Sequence, residues 1–319
     1  MSPIEQSIKD KIERIGTPLK DWNIQINYGI KTGCNEAFII TEVKRNEILG
    51  NCKNEAERKR TDELIRPILR GRDIRRYSYT WANLFLIATF PAKHYDIEQY
   101  PAVKGFLLSF EKKRLEEAGR FDLTDPVHLA QFCQQKLAQV GQDIIIEGKP
   151  VVINGKKEKS RKQTGNKWFE TQDQIGYWDD FSKQKILWGE ISDRTKFMID
   201  ENGSFYNEAT TFLLTGNNLI FLVCYLNSSL SEYLFSKIGT KTGVGTIRWK
   251  KFKIEQLMIP VVDNKTELFL SQCLNAYANG NITLTELEFT INDIFFKKFS
   301  FSDEEIEYIR KYTLGRQQE

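Results

Sequence analysis

The strongest helical pattern in the chain is NNLIFLVCYLNSSLSEYLFSKI, residues 217–238. Its leucines, valine and tyrosine recur at intervals of three and four residues, which predicts one continuous helix with a single apolar face. Such a face is stable only when it packs against other elements. The stretch therefore predicts the centre of a globular body, which ends at Ile259-Pro260.

Shorter patterns predict the elements around this helix. Helices are predicted for residues 4–15, for the charged stretch 44–60, and from Tyr100, where Pro101 takes a tolerated first-turn position. Strands are predicted at 23–28, 37–41, 84–89, 143–146, 151–154 and 185–190, with two more within 204–214. Residues 263–319 are predicted to be helical, since Thr283 to Glu286 and Ser302 to Glu305 fit capping boxes. The predicted fold class is mixed α/β with a helical C-terminal extension.

Composition limits the possible classes of function. Of the 319 residues 40% are apolar and 12% aromatic, enough for a substantial core. The net charge of +3 excludes the overall basicity of a histone-like protein but permits a local basic face. Five scattered cysteines and two histidines predict neither a zinc site nor a disulfide framework. The chain has no apolar run of about 20 residues and no signal pattern at its start, so we expect a cytoplasmic protein that does not associate with a membrane.

Basic residues are concentrated in three places. The first is the stretch 156–167, which follows Gly155 and contains Gly165, with six basic residues against Glu158: Lys156, Lys157, Lys159, Arg161, Lys162 and Lys167. The glycines predict a flexible loop, and such a loop can neutralise DNA phosphates without recognising a base sequence. The alternative interpretation is an ordinary solvated surface loop.

The other two basic patches combine charge with rigidity. Arg70, Arg72, Arg75 and Arg76 flank Gly71 and Asp73, and we expect Asp73 to hold one of these arginines in a bidentate pair. Thr246–Lys253 surrounds Trp249 and Phe252 with Arg248, Lys250, Lys251 and Lys253, just after the glycine turn at 239–245. Arginine suits guanine O6 and N7. Each patch could instead be a surface strand whose long side chains lie along apolar neighbours.

The chain has few residues that predict catalysis. It lacks the sequence patterns GxGxxG, GxxxxGK[ST], HExxH and GxSxG, and His94 and His128 are isolated. One alternative to DNA binding alone is a Mg²⁺-dependent nuclease. It would use Glu147 and Lys149 at the end of an apolar run, with the upstream carboxylates Asp122 and Asp125.

An ordered series of short stretches resembles a known family. The stretches are Pro18–Trp22, Ile30–Phe38, Ile65–Ile74, Tyr100–Val103, Trp168–Glu170, Lys185–Glu190, Phe205–Asn207, Leu226–Ser228 and Ile254–Pro260. From about residue 15 to 262 they resemble the TaqI-like C-terminal specificity domain. That family forms the target-recognition part of bacterial type IIG restriction–modification enzymes and of related adenine-N6 DNA methyltransferases.

The resemblance implies a DNA target-recognition domain with largely antiparallel sheets and flanking helices. It divides the chain into a linker helix at 1–22, a recognition domain at 23–262 with a variable insert at about 121–165, and a helical region at 263–319. The NPPY-type motif and the glycine-rich S-adenosylmethionine loop of the methyltransferases are missing here. We therefore expect a fragment or a specificity subunit that is not catalytic alone. The methyltransferase or endonuclease partner would hold S-adenosylmethionine and Mg²⁺.

The resemblance also separates core residues from candidate contacts with double-stranded DNA. Trp168, Trp188, Phe205 and Leu226 are predicted to fill the core. The predicted DNA contacts are Lys31, Thr32, Asn35, Arg70, Arg72, Arg76, Lys157, Arg161, Lys162, Lys167, Arg194, Lys196, Arg248 and Lys250. No catalytic or metal-ligating residue is predicted. A third hypothesis is a scaffold whose helical tail docks a methyltransferase subunit.

Overall fold

The computed structural model describes residues 2–109, 164–241 and 246–314, together with the backbone of four short strands between residues 145 and 157. The chain forms two compact units. Unit 1 comprises residues 1–29, 69–82 and 179–319, and unit 2 comprises residues 30–68 and 83–178. Unit 1 therefore contains the predicted linker helix, the predicted C-terminal helical region and part of the predicted recognition domain.

The strands are β1 (Gly16–Pro18), β2 (Ile24–Tyr28), β3 (Ile39–Thr41), β4 (Ile65–Leu69), β5 (Leu84–Ile87), β6 (Ile145–Ile146), β7 (Lys149–Pro150), β8 (Val152–Ile153), β9 (Lys156–Lys157), β10 (Lys185–Gly189), β11 (Ile191–Ser192), β12 (Phe197–Asp200), β13 (Tyr206–Asn207), β14 (Thr211–Gly216), β15 (Thr240–Lys241), β16 (Ile247–Arg248) and β17 (Met258–Pro260). The helices are α1 (Pro3–Ile15), α2 (Asn35–Phe38), α3 (Glu42–Gly50), α4 (Glu55–Leu64), α5 (Pro101–Ser109), α6 (Leu219–Leu226), α7 (Ser229–Ile238), α8 (Lys251–Ile254), α9 (Asn264–Ala278), α10 (Leu284–Lys298) and α11 (Asp303–Leu314).

Unit 1 is built on a four-stranded antiparallel sheet in the order β12-β10-β14-β2. Its register places one aromatic residue from each strand side by side: Phe197, Trp188, Phe212 and Tyr28. The rings of Trp188 and Phe212 stack at 5.2 Å between centroids, and those of Tyr28 and Phe212 lie at 5.0 Å. Cross-strand aromatic pairs of this kind stabilise a sheet and fix its register.

Helices cover the core side of this sheet. The buried residues of α6 and α7 join the sheet aromatics and the buried faces of α9 and α10 in one apolar cluster. The N-terminal helix α1 belongs to the same unit. Its Lys11 ammonium lies 2.6 Å from the Glu305 carboxylate of α11, and Lys237 of α7 donates a hydrogen bond of 2.6 Å to Glu5. That bond lowers the pKa of Glu5 to about 2.

The predicted continuous helix at 217–238 is wrong in one respect, because it breaks at Asn227 into α6 and α7, bent by 69°. The Asn227 side chain accepts a hydrogen bond of 3.0 Å from the backbone N–H of Phe197 and donates one of 2.8 Å to the Phe197 carbonyl. The Ser228 hydroxyl caps the next helix by accepting from the Ser231 N–H. Polar contacts to a distant strand therefore interrupt the apolar periodicity.

Unit 2 contains the antiparallel strands β4, β5 and β3, with α3 and α4 beside them. The predicted strand at 37–41 is correct only from Ile39, since residues 35–38 form the single turn α2. The buried Glu57 carboxylate accepts hydrogen bonds from the backbone N–H groups of Lys53 and Ala102, and so connects α4 to the start of α5. The short strands between residues 145 and 157 pair as two hairpins, β6 with β7 and β8 with β9.

These elements confirm the predicted mixed α/β class with largely antiparallel sheets, since every strand pair given above is antiparallel. The capping boxes at Thr283 and Ser302 are also confirmed. Over the described ranges, no single helix is long and apolar enough to cross a bilayer. The bent pair α6 and α7 meets the length and apolarity criteria only when its two helices are counted together.

The buried ion pair between Lys185 and Asp200 provides a test of the fold. The two groups lie 2.6 Å apart at 0% and 4% side-chain exposure, and Asp200 also accepts from the N–H of Phe205. Replacing Lys185 with Met leaves a buried carboxylate without its counter-ion, so we expect the free energy of unfolding to fall by about 3–5 kcal/mol. The measurement is urea denaturation.

Lys297→Met is the matched control. Its ammonium pairs with Asp293 at 2.6 Å, and both side chains of this pair are exposed, at 76% and 44%. Since exposed pairs contribute little, the unfolding midpoint of this variant should stay near that of the wild type. Equal losses in the two variants would contradict a special role for the Lys185–Asp200 pair.

Candidate nucleic-acid interface

The arginine-rich segment 69–82 begins with a tight turn, the 3₁₀ helix Gly71–Asp73. Arg70 Nε and Nη2 donate to the two carboxylate oxygens of Asp73 at 3.0 and 2.9 Å. This confirms the expected bidentate pair and identifies Arg70 as the arginine involved. The bond from Asp73 raises the pKa of Arg70. Arg70 therefore stabilises the turn, while Arg72, inside the turn, is exposed.

Close backbone packing places this turn at one end of the unit 1 sheet. A Cβ atom added at Gly189, the last residue of β10, would lie only 3.3 Å from the Cα of Gly71. A Cβ atom at Gly71 would lie 3.5 Å from the Thr210 hydroxyl. The distance at position 71 is an ordinary van der Waals contact, so it is glycine at position 189 that allows the two backbones to approach this closely. Arg72 is consequently held beside the end of β10 and the start of β14.

The second predicted patch reaches the same end of the sheet. Glu190 follows β10, and its backbone N–H donates to the Thr210 carbonyl at 2.8 Å. Its carbonyl accepts from the Trp249 N–H at 2.7 Å, and its carboxylate accepts from Arg248 Nη1 at 3.0 Å. The Arg248 side chain is 43% exposed. Arg72 and Arg248 are far apart in sequence. Gly71, next to Arg72, contacts Gly189, and Arg248 pairs with Glu190, so both segments are attached to consecutive residues at the end of β10.

The remaining predicted contacts of unit 1 are less accessible. Lys196 pairs with Asp193 at 2.6 Å, and Arg194 lies 3.8 Å from Glu232 and 3.9 Å from Glu288. Lys250 is half-buried at the start of α8, directly after Trp249. The buried Trp249 accepts a hydrogen bond of 2.9 Å from Trp188 Nε1, which anchors this segment to the sheet. Lys250 is thus held on a rigid part of the unit.

Arg76 is not a surface residue, and its prediction as a DNA contact is wrong for this structure. Its side chain is 7% exposed, and Nε donates to the Glu288 carboxylate at 2.5 Å. Nη1 donates to the backbone carbonyl of Thr195 at 3.0 Å and to its hydroxyl, and Nη2 donates to the Asn227 carbonyl at 2.7 Å. Every nitrogen of the guanidinium is used inside unit 1, so Arg76 anchors segment 69–82 to the helices.

Unit 2 carries a second, smaller group of predicted residues. Lys31 is exposed, and its backbone carbonyl accepts from the N–H groups of Gln172 and Asp173 at 3.1 and 3.3 Å. The Asn166 side chain donates to the Gln172 carbonyl at 2.7 Å, which brings the exposed Lys167 into the same neighbourhood. Asn35 is exposed at the start of α2.

Thr32, predicted as a contact, is fully buried and its prediction is also corrected. Its hydroxyl donates to Asn35 Oδ1 at 2.6 Å and accepts from the Cys34 N–H at 3.2 Å. The side chain therefore closes the turn before α2 and cannot reach a ligand in this conformation. The bound amide oxygen of Asn35 is in turn oriented by Thr32.

Several predictions lie outside the described residues. They concern Arg161 and Lys162, the side chains of Lys157 and Lys149, and the residues Asp122, Asp125, His128, Glu147 and Gly243. The variable insert predicted at 121–165 falls largely within the same undescribed part. Within the described ranges, no group of three or more His, Cys, Asp or Glu side chains is placed to hold a metal ion.

The predicted core residues behave as expected, since Trp188, Phe205 and Leu226 are buried, while Trp168 is only half-buried. Sequence patterns did not reveal the residues that organise the site, Glu190 and Glu288. Glu190 is distant in sequence from its partner Arg248, as Glu288 is from Arg76, and neither glutamate lies in a recognisable sequence motif. The single available signal was that Glu190 closes a predicted strand.

Part of the chain matches a known protein family. Residues 140–261 match the family described as the TaqI-like C-terminal specificity domain, which confirms the predicted resemblance over that range. No curated protein shows a significant match.

Two solved structures are similar at low sequence identity. The type IIG restriction endonuclease BpuSI is 12% identical, with a TM-score of 0.46 over 85% of this chain and 27% of its own. The type IIL restriction-modification enzyme MmeI, solved in complex with DNA, is 11% identical, with a TM-score of 0.48 over 94% of this chain and 34% of its own. The chain spans about a quarter to a third of the length of these enzymes.

The anchoring role of Arg76 can be tested by Arg76→Met. The change leaves the Thr195 and Asn227 carbonyls and the Glu288 carboxylate without their donor, so we expect a loss of about 3 kcal/mol in the free energy of unfolding. Arg75→Met is the control, because Arg75 is exposed and its Nη1 donates only to the carbonyls of Arg72 and Ile74. An unfolding midpoint that moves equally in both variants would contradict the assignment.

Proposed function

We propose that this chain is a specificity module that recognises double-stranded DNA by sequence within a restriction–modification system. The match of residues 140–261 to a specificity domain supports this proposal. The observation that carries it is that the backbone next to Arg72 and the side chain of Arg248 are both held at the end of β10 in unit 1, by the Gly71–Gly189 contact and the Glu190 salt bridge. Two exposed guanidinium groups are thus held on rigid backbone.

Rigid placement is what base recognition requires. A guanidinium group can donate two parallel hydrogen bonds to guanine O6 and N7, but only when its orientation is fixed. Arg248 receives that orientation from Glu190, which engages Nη1 alone. The tight turn that the Arg70–Asp73 pair closes fixes the backbone from which the Arg72 side chain extends. Lys31 and the basic stretch 156–167, which includes Lys167, would contact phosphates, and such contacts supply affinity independent of sequence.

The catalytic steps would belong to another domain or subunit. The chain lacks the methyltransferase motifs, so S-adenosylmethionine, Mg²⁺ and the reacting base would be held by a methyltransferase or endonuclease partner. In this division of labour, the present chain selects the site and its partner modifies or cuts the DNA. We place the module in the cytoplasm with its DNA substrate.

Base recognition can be tested on a duplex obtained by selection from a random-sequence pool. Arg72→Ala and Arg248→Ala should each weaken binding to the selected duplex by about 1–3 kcal/mol, the contribution of one bidentate guanine contact. Fluorescence anisotropy measures the affinity, and repeated selection shows whether a preference for guanine is lost.

Lys297→Ala and Lys311→Ala are the controls for these variants. Both lysines carry the same charge, are about three-quarters exposed and lie on the C-terminal helices α10 and α11. Their removal should leave affinity and selected sequence unchanged. Equal affinities in all four variants would refute the proposed interface.

Phosphate contacts made by unit 2 should affect the salt dependence of DNA binding and not its sequence preference. The double variant Lys31→Ala, Lys167→Ala should weaken binding to all sequences alike. It should also reduce the slope of log K against log salt by about 0.9 for each lost contact. Lys59→Ala, which removes an exposed lysine of α4, should leave the slope unchanged. A change in sequence preference without a change in slope would assign these lysines to base recognition instead.

A further inference from the structure

The aromatic row of the unit 1 sheet ends in an accessible ring. Phe197, Trp188 and Phe212 are buried at 1%, 1% and 3% exposure, whereas Tyr28, in the same register on the outermost strand β2, is 56% exposed. The buried neighbour Phe212 fixes the position of the Tyr28 ring at 5.0 Å. A rigid aromatic surface therefore extends from the core of the unit to its solvent edge.

A second exposed aromatic ring is brought to this edge by α8. Lys251 Nζ donates to the Ile26 carbonyl of β2 at 2.8 Å. Ile26 and Tyr28 are two residues apart on one face of the strand, a distance of about 7 Å. The residue after Lys251 is Phe252, which is 52% exposed, and the ammonium of Lys253 lies 5.6 Å from the Phe252 ring centroid. The Lys251–Ile26 hydrogen bond therefore connects the segment that carries Phe252 to the strand that carries Tyr28.

Positive charge is concentrated beside Phe252. Lys250, Lys251 and Lys253 lie within four consecutive residues, and the Glu255 carboxylate is 3.8 Å from Lys251 Nζ. An apolar protein partner would have to desolvate these ammonium groups, whereas a nucleotide supplies a phosphate for the lysines and a flat ring for the aromatic side chains. Charge and shape together favour nucleic acid as the occupant.

We propose that Tyr28 and Phe252 form a stacking surface for an unpaired nucleobase, with Lys250 and Lys253 holding the adjacent phosphates. The inference rests on the proposed DNA-binding function and deepens it, because it assigns to unit 1 a preference for DNA in which a base has left the duplex. A base inside an intact duplex cannot offer its face to a side chain, so this surface contributes only where the stack is opened.

The test compares an intact duplex with the same duplex carrying a gap of four unpaired thymidines. The wild-type protein should bind the gapped duplex about ten-fold more tightly, within the range known for base–aromatic stacking. Tyr28→Leu and Phe252→Leu keep an apolar side chain but remove the ring, and each should abolish most of this preference while intact-duplex affinity stays within two-fold. Tyr28→Phe should retain it.

Phe289→Leu is the matched control, since Phe289 is a 65% exposed aromatic residue on α10, outside both β2 and α8. An independent signal comes from 2-aminopurine placed in the gap. Its fluorescence should be quenched on binding to the wild type and to Tyr28→Phe, and not on binding to Tyr28→Leu.

The outcomes separate this inference from the proposed function. If the gap preference or the quenching persists in the double variant Tyr28→Leu, Phe252→Leu, the stacking surface is refuted. Duplex recognition by Arg72 and Arg248 would still stand in that case. The same holds if the wild type binds intact duplex but shows no preference for the gap. A wild-type protein that binds neither duplex refutes both.

Discussion

The burial of one guanidinium group determines where the arginine-rich segment of this protein lies. Arg76 carries its charge into the interior of unit 1, where the Glu288 carboxylate and the carbonyls of Thr195 and Asn227 surround it. Burying a charge is costly unless it is paired and fully hydrogen-bonded, so the segment 69–82 has little freedom to shift. Asn227 also binds the backbone of Phe197 through its side chain. The helix break, the strand β12 and the arginine segment therefore meet at a single residue.

This anchoring gives neighbouring arginines different roles. Arg70 and Arg76 both form intramolecular ion pairs. The Arg70 pair closes a turn, and the Arg76 pair fixes the segment to the helices. Arg72 and Arg75 are left on the surface between them. The same principle applies to Arg248, which is partly exposed and yet oriented by Glu190. Carboxylates thus sort the basic residues into those that build the unit and those that remain available to a ligand.

Local rules explain which features were predictable from the sequence. The alternation in β2, the capping box at Thr283 and the pairing of Asp73 with an adjacent arginine depend on residues a few positions apart, and each was predicted. The break at Asn227 and the burial of Arg76 depend on Phe197 and Glu288, which are distant in sequence. Periodicity and composition do not contain such long-range partners. Thr32 was misjudged for a different reason: the resemblance implied a DNA contact, whereas its hydroxyl bonds its near neighbours Asn35 and Cys34 and closes the turn.

The near-neutral charge of the chain is consistent with this arrangement. A net charge of +3 cannot produce a broad positive field, and Asp73, Glu190 and Asp193 each neutralise a basic residue of the predicted interface. Binding to DNA would therefore depend on a few oriented guanidinium groups more than on general attraction to phosphate. Oriented groups discriminate between bases, whereas a diffuse positive surface does not. Under the proposed function, the interleaved carboxylates would lower the affinity for arbitrary DNA and so increase the ratio of specific to non-specific binding on which site selection depends.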